Sequence, residues 1–183
     1  ISYADSALSL LDRYDGSKKP MFPARRVVTE AEYCEILGKE KEFEEEVHRL
    51  NEYGSAIADA YSKANSAEVL KLSLEPWRAY KLPIELTETE CLSIRIGLMP
   101  LSTDVQEVEN ELEAAGLPSV VQCVNKDKEQ MYVNVWYFRD DEDDALEIIK
   151  RYGFTIAPIA ELEGTAEENI SRAEHAIADA NSE

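Results

Sequence analysis

The sequence predicts an α+β protein, and three patterns carry that prediction. Residues 91–161 switch between strand-like and helix-like spacing in the order strand, helix, strand, strand, helix, strand. Residues 29–64 repeat apolar side chains every seven positions, as a long helix does. Residues 165–183 open on a capping-box pattern and continue with one apolar face. Together they give a ferredoxin-like βαββαβ sheet-and-helix domain at 91–161, a mainly helical region at 1–82 and a C-terminal helix at 165–183.

In chain order, Ala7, Leu8, Leu10, Leu11 and Tyr14 mark residues 1–14 as a short amphipathic helix, which Asp15-Gly16-Ser17 breaks. The basic connector from Lys18 to Arg26 reads as a linker against an acidic body, or as an arm for a polyanion. Thr29-Glu30-Ala31-Glu32 is a capping box that opens the long helix. Ile36, Phe43, Leu50 and Ile57 form its stripe, weakened by Glu40 and Gly54 at seam positions. Unbroken, this helix runs to about Asn65, roughly 50 Å at 1.5 Å per residue. So much apolar edge calls for self-association through Ile36, Phe43, Leu50 and Ile57, or for a hairpin with the terminal helices. Ser66 to Leu74 reads as a further short helix or strand, and Pro76, Pro83 and Thr87-Glu88-Thr89-Glu90 mark a boundary before the sheet.

The first strand is Leu92 to Leu98, and Val105, Val108 and Leu112 place the next helix, capped by Gly116. Val120 to Val124 and Met131 to Phe138 are strands joined by a turn at Asn125 to Lys128. Asp140 to Tyr152 is a helix with acidic first and basic last turns, and Phe154 to Ala157 is the last strand. Thr165-Ala166-Glu167-Glu168 caps the final helix, whose Ala176 to Ala180 repeats the sequence of Ala56 to Ala60.

Strand parity divides the sheet. Ile94, Ile96, Val133, Val135, Phe154 and Ile156 are expected towards the helices. Arg95, Gln122, Tyr132, Asn134, Trp136 and Thr155 are expected on an open face, as candidate ligand-binding residues. Aromatic rings there would stack, and Arg, Asn and Gln would hydrogen-bond. Arg95 and Asn134 are expected side by side on the two central strands.

Composition narrows the function. A formal charge of −19 over 183 residues argues against nucleic acid as partner, and residues 91–161 alone hold 6 basic and 14 acidic side chains, a net of −8. Cys34, Cys91 and Cys123 are too few for a disulfide framework or a zinc site and read as buried or idle thiols, with one disulfide involving Cys34 as the alternative. His48 and His175 sit among glutamates at mid-helix, and Asp140 to Asp144 lack the loop spacing of a calcium site. There is no phosphate loop, nucleophile elbow or metal spacing, so the reading is non-enzymatic, without cofactor or metal. No transmembrane run or signal peptide is legible, and the start at Ile1 hints at processing.

The middle of the chain resembles a SPOR domain, the sporulation-related repeat of bacterial envelope proteins. Ile94-Arg95-Ile96-Gly97-Leu98-Met99 followed by Val105, Leu112 and Gly116 is similar to the first half of the family pattern. Val133-Asn134-Val135-Trp136-Tyr137-Phe138 with Ala145, Ile149 and Gly153 answers the second, with Trp136-Tyr137 where the family has Gly-Pro. The resemblance implies a binder of peptidoglycan glycan strands through the open sheet face, in the periplasm or cell envelope. An RNA-recognition fold shares the topology but lacks its third-strand signature here. The alternative is a structural or assembly subunit, of envelope machinery or a phage virion, whose sheet face and long helix contact protein.

Overall fold

The computed structural model describes residues 2–16, 27–159 and 162–182, which form an α+β arrangement of six helices and one four-stranded antiparallel sheet. Two compact units divide between Lys63 and Ala64, inside a single long helix. The basic connector at 18–26 lies outside the described residues.

The first unit holds α1 (Ser2–Tyr14), α2 (Glu30–Gly38) and the start of α3 (Glu40–Leu74). Thr29 caps α2 as its sequence dictates: its side chain accepts from Glu32 N–H, and the Glu32 carboxylate accepts from Thr29 N–H at 2.8 Å. One residue, Lys39, separates α2 from α3, and Phe43 N–H already donates back to its carbonyl at 3.1 Å. Helix α1 is fixed to α3 through Asn51 Nδ2, which donates to the Tyr3 carbonyl at 3.0 Å, and a 2.7 Å hydrogen bond between the Tyr3 hydroxyl and His48 Nδ1. Gly54, which weakens the seam on paper, is where Leu10 seats, since a Cβ there would stand 3.3 Å from it. The stripe is thereby divided. Leu50 and Ile57 are half-buried, whereas Ile36 and Phe43 each keep 51% of their surface exposed.

Helix α3 does not end near residue 65. Ala64, Ala67, Leu70 and Leu74 carry the same spacing onward, and the helix stops only where Pro76 opens a 3-10 turn at Glu75–Trp77. That last stretch belongs to the second unit, with β1 (Leu92–Pro100), α4 (Val105–Ala114), β2 (Ser119–Lys126), β3 (Gln130–Phe138), α5 (Glu142–Arg151), β4 (Thr155–Ile156) and α6 (Ala166–Ala180).

The strand order is β2-β3-β1-β4, with every neighbour antiparallel. The long pair β1–β3 runs from Leu92 opposite Phe138 to Pro100 opposite Gln130, while β4 pairs only at Gly97 and Leu98. Gly97 makes that crossing feasible: a Cβ would fall 2.2 Å from the Phe154 ring and 2.4 Å from the Thr155 carbonyl. Gly116 and Gly153 end α4 and α5 at φ 78° and 83°, a backbone region that favours glycine.

One sheet face is buried and the other is covered in part, since Val120 and Gln122 of β2 stay exposed on it. One carries Met99, Val121, Met131, Val133, Val135 and Tyr137 against α4, α5 and Phe154. The other is covered by Leu74, Trp77, Tyr80 and Ile84 together with Ala166 and Ile170 of α6. Ile94 and Ile96 therefore do not face α4 and α5 as parity suggested. Register pairs them with Trp136 and Asn134, and directly opposed residues share a face. Ile156, also expected inward, is 57% exposed at the sheet's edge. Cys34 and Cys91 are exposed and Cys123 is half-buried, all as free thiols.

Trp77 is 2% exposed and meets Tyr132 edge-on at 5.4 Å between ring centroids. Trp77→Ala is expected to cost about 3–5 kcal/mol of unfolding free energy, the range for emptying a buried aromatic site. Urea denaturation followed by circular dichroism measures it. A loss well under 1 kcal/mol would mean that this segment does not close the sheet.

Candidate functional site

The six candidate binding residues do not come together on an open surface. Tyr132 and Asn134 are buried at 8% and 1% exposure beneath the α3–α6 cover, and Trp136 beside them is half-buried. Gln122, opposite Asn134, and Thr155, opposite Leu98, are exposed at the two edges. Arg95 is opposite Val135 and so lies on the α4–α5 face, away from Asn134. The expected Arg95–Asn134 neighbourhood is corrected by that register: Ser93, Arg95 and Gly97 are the polar or small set of β1, yet they point to the larger core. Glycine at 97 makes room there for Phe154, and Ser93 and Arg95 satisfy a carboxylate.

That carboxylate is Glu142, at the start of α5. Arg95 Nη2 donates to it at 2.6 Å, Ser93 Oγ at 3.1 Å and the Tyr137 hydroxyl at 3.3 Å. Burial alone raises its pKa, but the Ser93 hydrogen bond, the Arg95 charge and Tyr137 outweigh burial and hold it below the usual range. Arg95 Nη1 is spent on the carbonyls of Thr87 and Ile94, at 2.8 and 3.0 Å. The guanidinium ties the 87–88 segment, β1 and α5 together and is committed to structure. Tyr132 is committed likewise, donating to Asp127 at 2.7 Å across the β2–β3 turn. Asn134 is different: its Oδ1 is buried and accepts no hydrogen bond.

Two concave surfaces with mainly apolar linings lie among the described residues. In the second unit a groove of about 530 Å³ follows the edge of β1, lined by Tyr80, Ile84, Leu86, Ile94 and Ile156 with Arg95 at its side. It opens because β4 pairs with only two residues of β1 and the Glu88–Ser93 bridge holds the opposite end. Burial pushes the Tyr80 phenol pKa upward, so at neutral pH this groove presents a neutral hydroxyl.

In the first unit a groove of about 560 Å³ lies between α1 and the α2–α3 junction, lined by Tyr3, Ala4, Ile36, Leu37, Phe43 and Val47, with Glu40 and Glu44 at the rim. The heptad reading located Ile36 and Phe43 but missed Tyr3 and Leu37. Leu37 follows Ile36 at the i+1 position and Tyr3 arrives from another helix. Leu37 is six residues before Phe43 and ten before Val47, off the seven-residue repeat.

Among the described residues no group of His, Cys, Asp and Glu is arranged to hold a metal ion, and no helix is long and apolar enough to cross a membrane. No family model matches the chain, and neither does any curated protein. Among solved structures it is similar to the crystal structure of the cytoplasmic N-terminal domain of subunit I, homolog of subunit a, of V-ATPase, at a TM-score of 0.57 and 16% identity. The likeness covers 99% of this chain and 57% of that one, so the chain spans little more than half of the other's length. At this identity the likeness is one of fold.

Two substitutions test the site chemistry. Glu142 contributes stability that is present above its unfolded-state pKa and is lost as pH falls through its lower folded-state value. Glu142→Gln is therefore expected to be less stable than the native chain at neutral pH and to lose less on acidification below about pH 4.5, in thermal melts across pH. Asn134→Leu, which removes an unpartnered buried acceptor at similar volume, is expected to gain about 1 kcal/mol in urea denaturation. A loss instead would show that an ordered water satisfies the amide.

Proposed function

We propose that this chain is a non-catalytic structural part of a multi-protein assembly, and that it contacts protein through the apolar face of α2 and the start of α3. The observation that carries the reading is the half-exposed row of Tyr33, Ile36, Leu37 and Phe43, each at least 51% open on well-formed helices. A row of that size on a charged helix reads as a contact surface, because each half-exposed side chain has about 1 kcal/mol still to gain on full burial. The fold likeness to a domain of an ATPase subunit supports the same reading, since that domain too is one component of a larger complex.

The order βαββαβ and the strand order β2-β3-β1-β4 support describing the second unit as ferredoxin-like, the topology of SPOR domains. A glycan site through the sheet would need Arg95, Tyr132, Asn134 and Trp136 together in solvent. Their division between two covered faces favours protein contact over glycan binding.

A photo-reactive amino acid placed at Phe43 or Ile36 in cells that make the protein is expected to yield the same discrete cross-linked species from both positions. None is expected from Val120, which is as exposed but lies on β2. Cross-linking absent at both helix positions, together with co-sedimentation of the native chain with purified peptidoglycan, would replace this reading with the glycan one.

A further inference from the structure

We infer that the groove between α1 and the α2–α3 junction receives one α-helix of a partner protein, apolar along one face and flanked by lysine or arginine. The inference rests on the protein-contact reading above and adds the chemistry of the partner.

Shape comes first. Tyr33, Ile36, Leu37, Phe43 and Val47 fall on one side of two helices interrupted by a single residue, over a span of about 21 Å at 1.5 Å per residue. Tyr3 and Ala4 of α1 form the second wall over part of that length. Two roughly helical walls with an apolar floor accept a third helix with anchors at i, i+3, i+4 and i+7, about four turns long. The walls are preformed: Asn51 and His48 hold the Tyr3 end, and the Thr29 capping box holds the start of α2. A partner helix therefore meets a surface that needs little ordering.

Charge then selects the partner. Residues 30–46 carry eight glutamates against Lys39 and Lys41, and Lys39 is already paired with Glu35 at 2.8 Å. Glu40 and Glu44 stand on the groove's own rim. A second copy of the chain would bring the same acidic patch against itself, within a molecule whose formal charge is −19. A helix with basic flanks instead gains from every rim glutamate, with an association rate that falls as salt rises.

The test uses the full chain and three fluorescent peptides of about 14 residues, the length that spans four turns. The first is leucine and lysine at helical spacing, the second its leucine–glutamate twin, and the third a leucine–lysine scramble without an apolar face. Anisotropy should show saturable one-to-one binding of the first peptide only. Phe43→Asp and Ile36→Asp should each weaken it by about tenfold or more, as loss of one buried anchor predicts. These variants add negative charge, so binding by charge alone would tighten instead, and tightening overturns the inference. Glu40→Gln with Glu44→Gln should weaken binding and flatten its salt dependence while leaving the fold intact. Both substituted glutamates are exposed, and helicity by circular dichroism checks each variant.

Equal binding of the leucine–glutamate twin would overturn the basic-partner chemistry while the contact surface stands. A concentration-dependent dimer in sedimentation velocity, abolished by Phe43→Asp, would make a second copy the occupant. Binding of no peptide, with no cross-link at Phe43, would remove the contact reading as well.

Discussion

The Trp77 indole meets the Tyr132 ring edge-on, and around that contact the central part of the second sheet face is covered. Strand β1 then has apolar side chains buried on both sides, Ile94 at 2% and Met99 at 1% exposure. A strand of that kind cannot present a binding platform on either face. The same contact fixes the end of α3, since Leu74, three residues before Trp77, is fully buried. Helix α6 is held by the same cluster through Ala166 and Ile170. Lys81–Glu167 at 2.7 Å and Lys71–Glu174 at 3.1 Å trim the outside of this arrangement. Exposed pairs of this sort contribute about 0–1 kcal/mol each, so the apolar contact dominates.

The chain's acidity has different roles in its two units. In the second unit carboxylates end segments and join them. Asp104 caps α4 by accepting from Gln106 N–H, Glu168 completes the capping box of α6, and Glu142 draws Arg95, Ser93 and Tyr137 together. Glu109 accepts from the Val121 N–H at 2.9 Å and so pins α4 to β2. In the first unit the glutamates from Glu40 to Glu46 are exposed along a helix whose apolar side chains are also open. There the charge is directed outward, to whatever approaches the helix.

Much of this fold is legible in the sequence because it is local. Both capping boxes form, α5 has acidic first and basic last turns, and Gly116 ends α4 as its cap in a left-handed backbone. The six elements from β1 to β4 fall where their periodicity places them. What the sequence could not give is non-local. Strand parity tells which residues of β1 share a face, and not which face meets α4 and α5. With Ile94, Ile96 and Leu98 apolar on one side, the polar alternates look solvent-bound until register pairs Arg95 with Val135. The cover itself comes from a segment read as a boundary. Pro76 and Pro83 do interrupt regular structure, yet Trp77, Tyr80 and Ile84 between and after them are core residues. A proline-rich stretch that carries large aromatics is better read as packing without secondary structure than as a linker.

Helix α3 shows the same limit at the level of function. Its apolar spacing runs from Phe43 to Leu74 with Gly54 as a gap, and the sequence alone does not tell which end is covered. At Leu74 the spacing is answered by Trp77, the sheet and α6, while Val69 and Leu72 on other sides of the helix stay exposed. In the middle, α1 answers it through Leu10 at Gly54 and Tyr3 at His48. At Phe43 and Ile36 the described residues supply nothing more than the N-terminal turn of α1, and half of each side chain stays in water. Along the stripe itself, cover falls from Leu74 through Leu50 and Ile57 to Phe43 and Ile36. Of the sheet's aromatic and amide side chains, Tyr132 and Asn134 are already taken up by its own core, and Gln122 stands apart at an edge.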